Sequence, residues 1–385
     1  MKVLTIDIGT GTQDIFLYDS TLDIENGFKL ILPSPTLIVH RRLKRLLPTR
    51  TPVLLSGYQM GGGPSAWAIE EYVRAGLPVY MTPDAARTIN DELEQVAALG
   101  ITLVSEDEAR QLQDRLEHIV LKDFDFPQIA ATFQQYGVSL DDLSAVAVAV
   151  FDHGNAPPGV SDRQFRFDYL DQRIRAHNSL AAFAYPAEAI PPILTRLQAV
   201  ARSAGTLPCP LIVMDTAPAA VLGSTLDPVV AARPEAILCN IGNFHTLAFR
   251  ITPEGIAGLF EHHTGEIDRP KLERLLRKLA DATLTHQDVF DDMGHGALMY
   301  TDRPFHFEHH PFDVVITGPR RSLFRTPSDG DPNTLRPYFA APFGDMMIAG
   351  CFGLLVAAAE LLPHLGETIH ASLRNQGRPS APWEV

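Results

Sequence analysis

Residues 4–20 read "LTIDIGTGTQDIFLYDS". An apolar run ends on Asp7, a turn of glycine and threonine follows, and a second apolar-alternating run begins at Ile15. The pattern predicts two strands, at 3–8 and 13–19, joined by a turn richer in hydroxyls than a plain hairpin needs. Gly9 and Gly11 let the backbone turn tightly and bring its N–H groups against an anion. Thr10, Thr12 and Gln13 add side-chain donors around the same point. Asp7 at the strand end is placed to hold Mg²⁺ through water, because this ion keeps part of its shell and needs few carboxylates. The same residues also suit a polar hairpin in which Asp7 and Thr10 only satisfy turn N–H groups.

A second segment, "ILCNIGNFHTLAFRI" (237–251), repeats the order of strand, Asn-Ile-Gly, short polar turn and strand. Aligning the two pairs Asp7 with Asn240, Gly9 with Gly242, Thr12 with His245 and Gln13 with Thr246. A hairpin repeated this far along predicts two lobes, each opened by one. A chain of 385 residues is long enough for two. The division is expected near residue 228, with lobe I at 1–228 and lobe II at 229–385.

Further strands are expected at 28–32, 52–56, 145–151, 211–215, 236–241, 245–251 and 313–317. Helical periodicity marks 65–76, 87–99, 107–120, 127–136, 187–204, 269–284 and 345–362. The mixture is an α/β chain. "AVAVAVF" (145–151) and "LIVMD" (211–215) are near-continuous apolar runs, suited to the middle of a sheet covered on both faces. The stretch 322–342 reads as an irregular loop.

The formal net charge is -14 and no basic block exceeds "HRRLKR" at 40–45, which argues against binding duplex nucleic acid. Cys209, Cys239 and Cys351 lie far apart in apolar settings, as buried thiols of a reducing compartment do. No spacing suits a cysteine-held zinc or iron–sulfur cluster. Asp7 interrupts any signal-type apolar stretch, so a cytoplasmic protein without a secretory leader is expected. The longest apolar segment, 346–359, is short for a membrane span and reads as a core helix.

After "LIVMD" comes "DTAPAAVLGS" (215–224), a small-residue helix start that precedes the second hairpin. This order resembles the superfamily of sugar kinases, heat-shock chaperones and actin. There a phosphate hairpin opens lobe I, a strand running into an alanine-rich helix closes it, and a second glycine hairpin opens lobe II. "VVITGPRRSLF" (314–324) would be the strand and glycine turn beside adenosine. The final apolar helix, from Gly344, would pack on lobe II. More narrowly, "FDHG", "IGNFHTLAF", "EHHTG", "GHGA", "ITGPRR" and "GDMMIAG" resemble a prokaryotic family often labelled pyruvate formate-lyase activating-like. A radical activase needs three closely spaced cysteines for its cluster, and this chain has none so arranged.

The resemblance implies a two-lobed actin-like ATPase (duplicated ribonuclease H-like) fold with a cleft between the lobes, and ATP with Mg²⁺ as cofactors. Asp7, Gly9, Thr10, Gly11, Thr12, Gln13, Asn240, Gly242, Asn243, His245, Gly318 and Arg320 would line the nucleotide. Asp7 and Asp215 would serve the metal, Asp215 and Asn240 ordering its waters, and Asp215 would also be a catalytic residue. The second hairpin departs from the family pattern, with Asn240 for its acidic residue and Asn243 and Phe244 for glycines. Nucleotide binding, binding of another anion, and neither all stay open for it. Asp215 also suits a helix N-cap.

Asp152-His153-Gly154 ends a central strand, where open α/β sheets bind ligands. Asp152 is the candidate base and His153 a substrate ligand, with Asp152 as a turn cap the alternative. His262, His263 and His295 are further candidate substrate ligands. A zinc or binuclear site built from His153, His245, His263 and His295 is conceivable, although no motif spacing marks it. "MGGGP" (60–64) lacks the Lys-Ser/Thr of a P-loop and reads as a flexible loop or a close backbone contact. Three functions follow. The leading one is ATP-dependent phosphoryl transfer or hydrolysis acting on a small molecule or protein. A metal-dependent hydrolase or isomerase and a non-catalytic nucleotide or metabolite sensor are the alternatives.

Overall fold

The computed structural model describes residues 1–325, 334–374 and Trp383. The stretch 326–333, the centre of the expected irregular loop, lies outside the described residues. The first hairpin forms as read: β1 (Lys2–Ile8) and β2 (Thr12–Asp19) are antiparallel, with Asp7 opposite Asp14 and Ile8 opposite Gln13. Strand β3 (Phe28–Pro33) continues the antiparallel sheet beside β2.

An insert follows with its own small parallel sheet, ordered β6-β5-β4-β7. Its strands are β4 (Val53–Gly57), β5 (Val79–Met81), β6 (Thr102–Leu103) and β7 (Glu117–Leu121). Helix α1 (Pro64–Arg74) starts directly after the triple glycine. Only the first strand of this sheet is expected from the sequence. The helix expected at 107–120 stops at Leu112, because "EHIVL" pairs in parallel with β4. The helix expected at 87–99 is reduced to Leu93–Ala98.

The chain then returns to the first sheet. Strand β8 (Leu143–Val150) runs parallel to β1; β9 (Ala184–Pro186) and β10 (Leu211–Asp215) follow, with β10 parallel to β8. Helix α2 (Asp162–Ala176), not anticipated by periodicity, and α3 (Thr195–Ser203) lie between them. Pro186, Pro191 and Pro192 keep the expected helix at 187–204 from starting before Thr195. After β10, helix α4 (Thr216–Ser224) leads toward the second sheet.

That sheet holds β11 (Ala236–Ile241), β12 (His245–Thr252), β13 (Gly255–His263), β14 (Gly296–Met299), β15 (Val314–Thr317) and β16 (Pro337–Phe339). Helix α5 (Arg269–Ala280) packs its leucines on it, and α6 (Ala349–Leu361) follows β16. The two orders, β3-β2-β1-β8-β10-β9 and β14-β13-β12-β11-β15-β16, contain the same five-strand unit. In each unit three antiparallel strands are followed by two strands parallel to the first. Two such units make the duplicated ribonuclease H-like architecture of actin-like ATPases. Among the described residues no helix is long and apolar enough to cross a membrane.

Strand β8 shows how sequence chooses its neighbours. Val146, Val148 and Val150 point into a core with Phe133, Leu197 and Val200. Ala145, Ala147 and Ala149 point to the opposite face, where they meet α6 through Phe352, Leu354 and Ala358. Helix α6 therefore lies on the first sheet and not on the second, which corrects the sequence expectation. It is apolar all round and buried all round, so its own pattern names no partner. The row of alanines on β8 supplies the shallow surface that a helix can approach closely.

Helices α4 and α6 cross through glycines. A Cβ on Gly223 would strike the Ala349 carbonyl, and one on Gly353 the Ala219 carbonyl. Chain leaving the first sheet and chain returning to it thus touch backbone to backbone. Gly353→Val is expected to destabilise the fold by at least about 2 kcal/mol through overpacking. Urea denaturation checks this, and a wild-type midpoint would contradict such close crossing.

Candidate functional site

Both hairpin turns close in the same way. The Gly9 N–H donates to the Thr12 carbonyl at 2.9 Å, and the Gly242 N–H to the His245 carbonyl at 2.9 Å. The pairing of positions read from the sequence is therefore also a pairing of geometry. The tips meet: a Cβ on Gly11 would strike the Asn243 side chain. They frame a cavity of about 580 Å³ whose other walls are Met60–Gly63, Arg87–Glu92, Phe151–Gly154, Gly318 and the start of α6.

Asp7 and Asp14 sit together at this cavity. Asp7 Oδ1 accepts a hydrogen bond from Thr216 Oγ1 at 2.6 Å, and its other oxygen lies against Gly350, where a Cβ would not fit. Oδ1 of Asp14 is buried with no hydrogen-bond partner among the described residues. Burial, opposed by Thr216 and aided by Asp215, pushes the Asp7 carboxyl up to about 6. Burial and then the Asp7 charge push the Asp14 carboxyl up to about 8. Two carboxylates in one poorly solvated corner cannot both ionise cheaply without a cation. Asp14 is an addition to the residues expected from the sequence, and the hairpin register places it opposite Asp7.

Other expected residues divide clearly. Gly9, Thr10, Gly11, Thr12, Asn240, Gly242, Asn243, His245 and Gly318 line the cavity together with Asp7. Asn240 Nδ2 donates to Thr317 Oγ1 at 3.1 Å. Gln13 and Arg320 do not line it; Gln13 Nε2 donates to the Pro33 carbonyl at 3.1 Å, and Arg320 is exposed. Asp152 lines the cavity and accepts from the N–H groups of Gly154 (2.8 Å) and Leu197 (2.9 Å). Burial, against those two hydrogen bonds, pushes its carboxyl up to about 6.

Asp215 is not among the residues that line the cavity, although its charge is felt at Asp7. It caps α4 by accepting from the Ala217 N–H at 3.0 Å, and Arg166 takes it at 2.6 Å. Arg166, on α2, also donates to Glu261 on β13 (2.9 Å) and to the Asp152 carbonyl (2.7 Å). Its guanidinium covers the Phe151 ring at 3.9 Å from the centroid. Despite the burial of Glu261, Arg166 and His295 hold its carboxyl well below the usual range. Arg166 and Glu261 each interrupt an apolar stripe, beside Phe167 and Leu170 and beside Leu259 and Phe260. That was the available sequence signal.

A second ion pair shapes the glycine loop. Arg196 donates to both oxygens of Asp123 at 2.8 and 3.1 Å, and Asp123 accepts the Gly61 N–H. A Cβ on Gly61 would strike the Arg196 guanidinium, so "MGGGP" is a close backbone contact on the cavity wall.

The histidines gather beside Phe151. His153, His245 and His295 bring ligand nitrogens within 4.8 Å of one another, and His263 packs on the latter two. Phe151 stacks on His245 with centroids 4.1 Å apart. His295 Nδ1 is hydrogen-bonded to Glu261. Burial lowers His153 and His245 well below the ordinary imidazole range, and His263 to about 4. His262 points to the opposite side of β13, toward Asp292 at 3.6 Å.

Two outcomes are expected. Arg166→Met strands two buried carboxylates and should cost about 3–5 kcal/mol in urea denaturation; a neutral change would contradict the linkage. An unfolded aspartate releases its proton near 3.8, whereas folded Asp14 holds it to about 8. The folded state therefore binds more protons in that window, and ligand-free protein loses stability as pH rises through it. Asp14→Asn should melt above wild type by a margin that grows from about pH 5 to about pH 9. A constant margin would contradict the raised carboxyl.

The family model described as "Putative pyruvate format-lyase activating enzyme (DUF1786)" matches residues 60–323. No curated protein matches the chain. Among solved structures, the ethanolamine utilization protein EutJ from Carboxydothermus hydrogenoformans is similar at 9% identity and TM-score 0.31, covering 92% of this chain and 89% of that one. A ROK hexokinase from Thermus thermophilus is similar at 11% identity and TM-score 0.24, covering 97% and 88%. The matched residues run from the glycine loop through the histidine cluster to the turn after β15, and the chain belongs to the DUF1786 family.

Proposed function

We propose that the cleft binds a magnesium–nucleoside triphosphate, and that the protein is an ATP-dependent phosphotransferase or ATPase acting on a small molecule or a partner protein. The observation that carries this reading is the pair of equivalent glycine turns facing one cavity, with Asp7 and an Asp14 oxygen that has no partner among the described residues beside them. A buried, all-oxygen donor pair that is costly to ionise alone fits a hard divalent ion such as Mg²⁺. A bound magnesium nucleotide would supply the reactive phosphoryl group and neutralise charge on its oxygens.

The chain's own residues would do the rest. The Gly9–Thr12 turn and the hydroxyls of Thr10 and Thr12 would hold phosphate oxygens. Asn240 and Asn243 would do so from the second turn without adding negative charge. Asp7 and Asp14 would order the metal's water ligands. Asp152 uses one lone-pair direction on each oxygen for backbone N–H groups and keeps others free. With its carboxyl near 6, it is tuned to accept a proton at neutral pH. The walls at Met60–Gly63 and Arg87–Glu92, both from the insert, would face the acceptor. Motion about the crossing of α4 and α6 would close the cleft against water.

Radical activation fits the residues poorly. Cys239 and Cys351 belong to different cores, and Cys209 borders a third, so no three thiols can share a cluster.

Calorimetric titration with ATP and ADP in Mg²⁺ buffer tests the reading. Binding is expected, and Asp7→Asn and Asp14→Asn should each weaken its Mg²⁺-dependent part about tenfold or more. Absence of binding by either nucleotide would overturn it.

A further inference from the structure

Three imidazoles from distant stretches meet where the lobes face each other: His153 after β8, His245 at the start of β12 and His295 just before β14. Three observations set this apart from histidines that merely crowd together. His295 uses Nδ1 for Glu261, which leaves Nε2 for another partner, and Arg166 fixes Glu261 in turn. A carboxylate behind an imidazole is the outer-shell arrangement that orients ligating histidines. Nε2 of His245 is buried and has no hydrogen-bond partner among the described residues. Phe151 stacks on His245 and lies along His295, holding both rings while the cavity reaches His153 and His245.

We propose that His153, His245 and His295 bind one zinc-class transition-metal ion, with a coordination position open toward the cleft. Neutral nitrogen donors select zinc, iron, nickel or copper over magnesium, which prefers oxygen. The site is thus chemically distinct from the Asp7–Asp14 corner and does not rest on nucleotide binding. Three protein ligands with one open position is the arrangement of catalytic zinc, in which a bound water becomes acidic near neutral pH. Zinc–nitrogen bonds are about 2.0–2.1 Å long, so nitrogens now up to 4.8 Å apart must draw together around an ion. His153 comes from the first lobe and the other two from the second. Binding therefore favours the closed arrangement of the lobes.

The test uses full-length protein stripped with chelator and titrated with Zn²⁺ and, separately, Co²⁺. About one Zn²⁺ per chain by elemental analysis and the intense visible bands of a low-coordinate Co²⁺ site are expected. His153→Ala and His245→Ala should each abolish the Co²⁺ bands. Glu261→Gln should weaken Zn²⁺ binding about 10–100-fold while leaving the ligands in place. Circular dichroism shows whether each variant folds; His153 is the decisive position if the Glu261 variant does not. No stoichiometric Zn²⁺, or Co²⁺ bands unchanged in folded His153→Ala and His245→Ala proteins, would overturn the proposal. Zn²⁺ binding without ATP binding would support this site while removing the nucleotide reading, and the reverse result would do the opposite.

Discussion

One buried guanidinium holds the two sheets in register with each other. Arg166 reaches Asp215 at the end of β10 and Glu261 near the end of β13, so its charge is neutralised from both lobes. The same side chain accepts Phe151 beneath it and donates to the Asp152 carbonyl. Through Glu261 it also sets His295. Removing three charges from water is costly, and a well-packed apolar trio of the same volume could be as stable. What an apolar trio could not supply is direction. Its hydrogen bonds fix the Asp152 carbonyl at the cleft wall and, through Glu261, the His295 imidazole.

The duplication is close in backbone and unequal in chemistry. The two turns share one hydrogen bond and one register, yet the first carries Asp7 opposite Asp14 where the second carries Asn240 opposite Leu247. The Asp7–Asp14 carboxyl pair sits beside the first turn, and imidazoles are concentrated beside the other. A single cleft thus presents a hard oxygen corner and a softer nitrogen cluster. The insert sheet adds a third wall, positioned by Arg196 and Asp123.

Much of this was legible in the sequence where the signal is local. The hairpins announced themselves because turn, register and flanking strands lie within some fifteen residues (on the scale of a β-hairpin), and Asp7–Gly9 and Asn240–Gly242 share a pattern. The insert sheet was missed because β5 and β6 are only three and two residues long, too short for any periodicity. Strand β7 hides behind a run of polar residues with helical spacing. The resting place of α6 could not be read from α6, whose faces are alike; it was written in the alanines of β8. Arg166 and Glu261 are 95 residues apart, and only the fold brings them together. The same is true of His153 and His295, which no motif spacing connects. Asp215 shows what element order leaves out: an acidic residue at the expected place is engaged by Arg166, which that order does not contain.

The most direct measurement is a crystal structure of the protein with Mg²⁺ and a non-hydrolysable ATP analogue. The predicted result is triphosphate density between the Gly9–Thr12 and Gly242–His245 turns, with the ion beside Asp7 and Asp14. Density for the analogue elsewhere, or none at saturating concentration, would contradict a nucleotide-binding cleft.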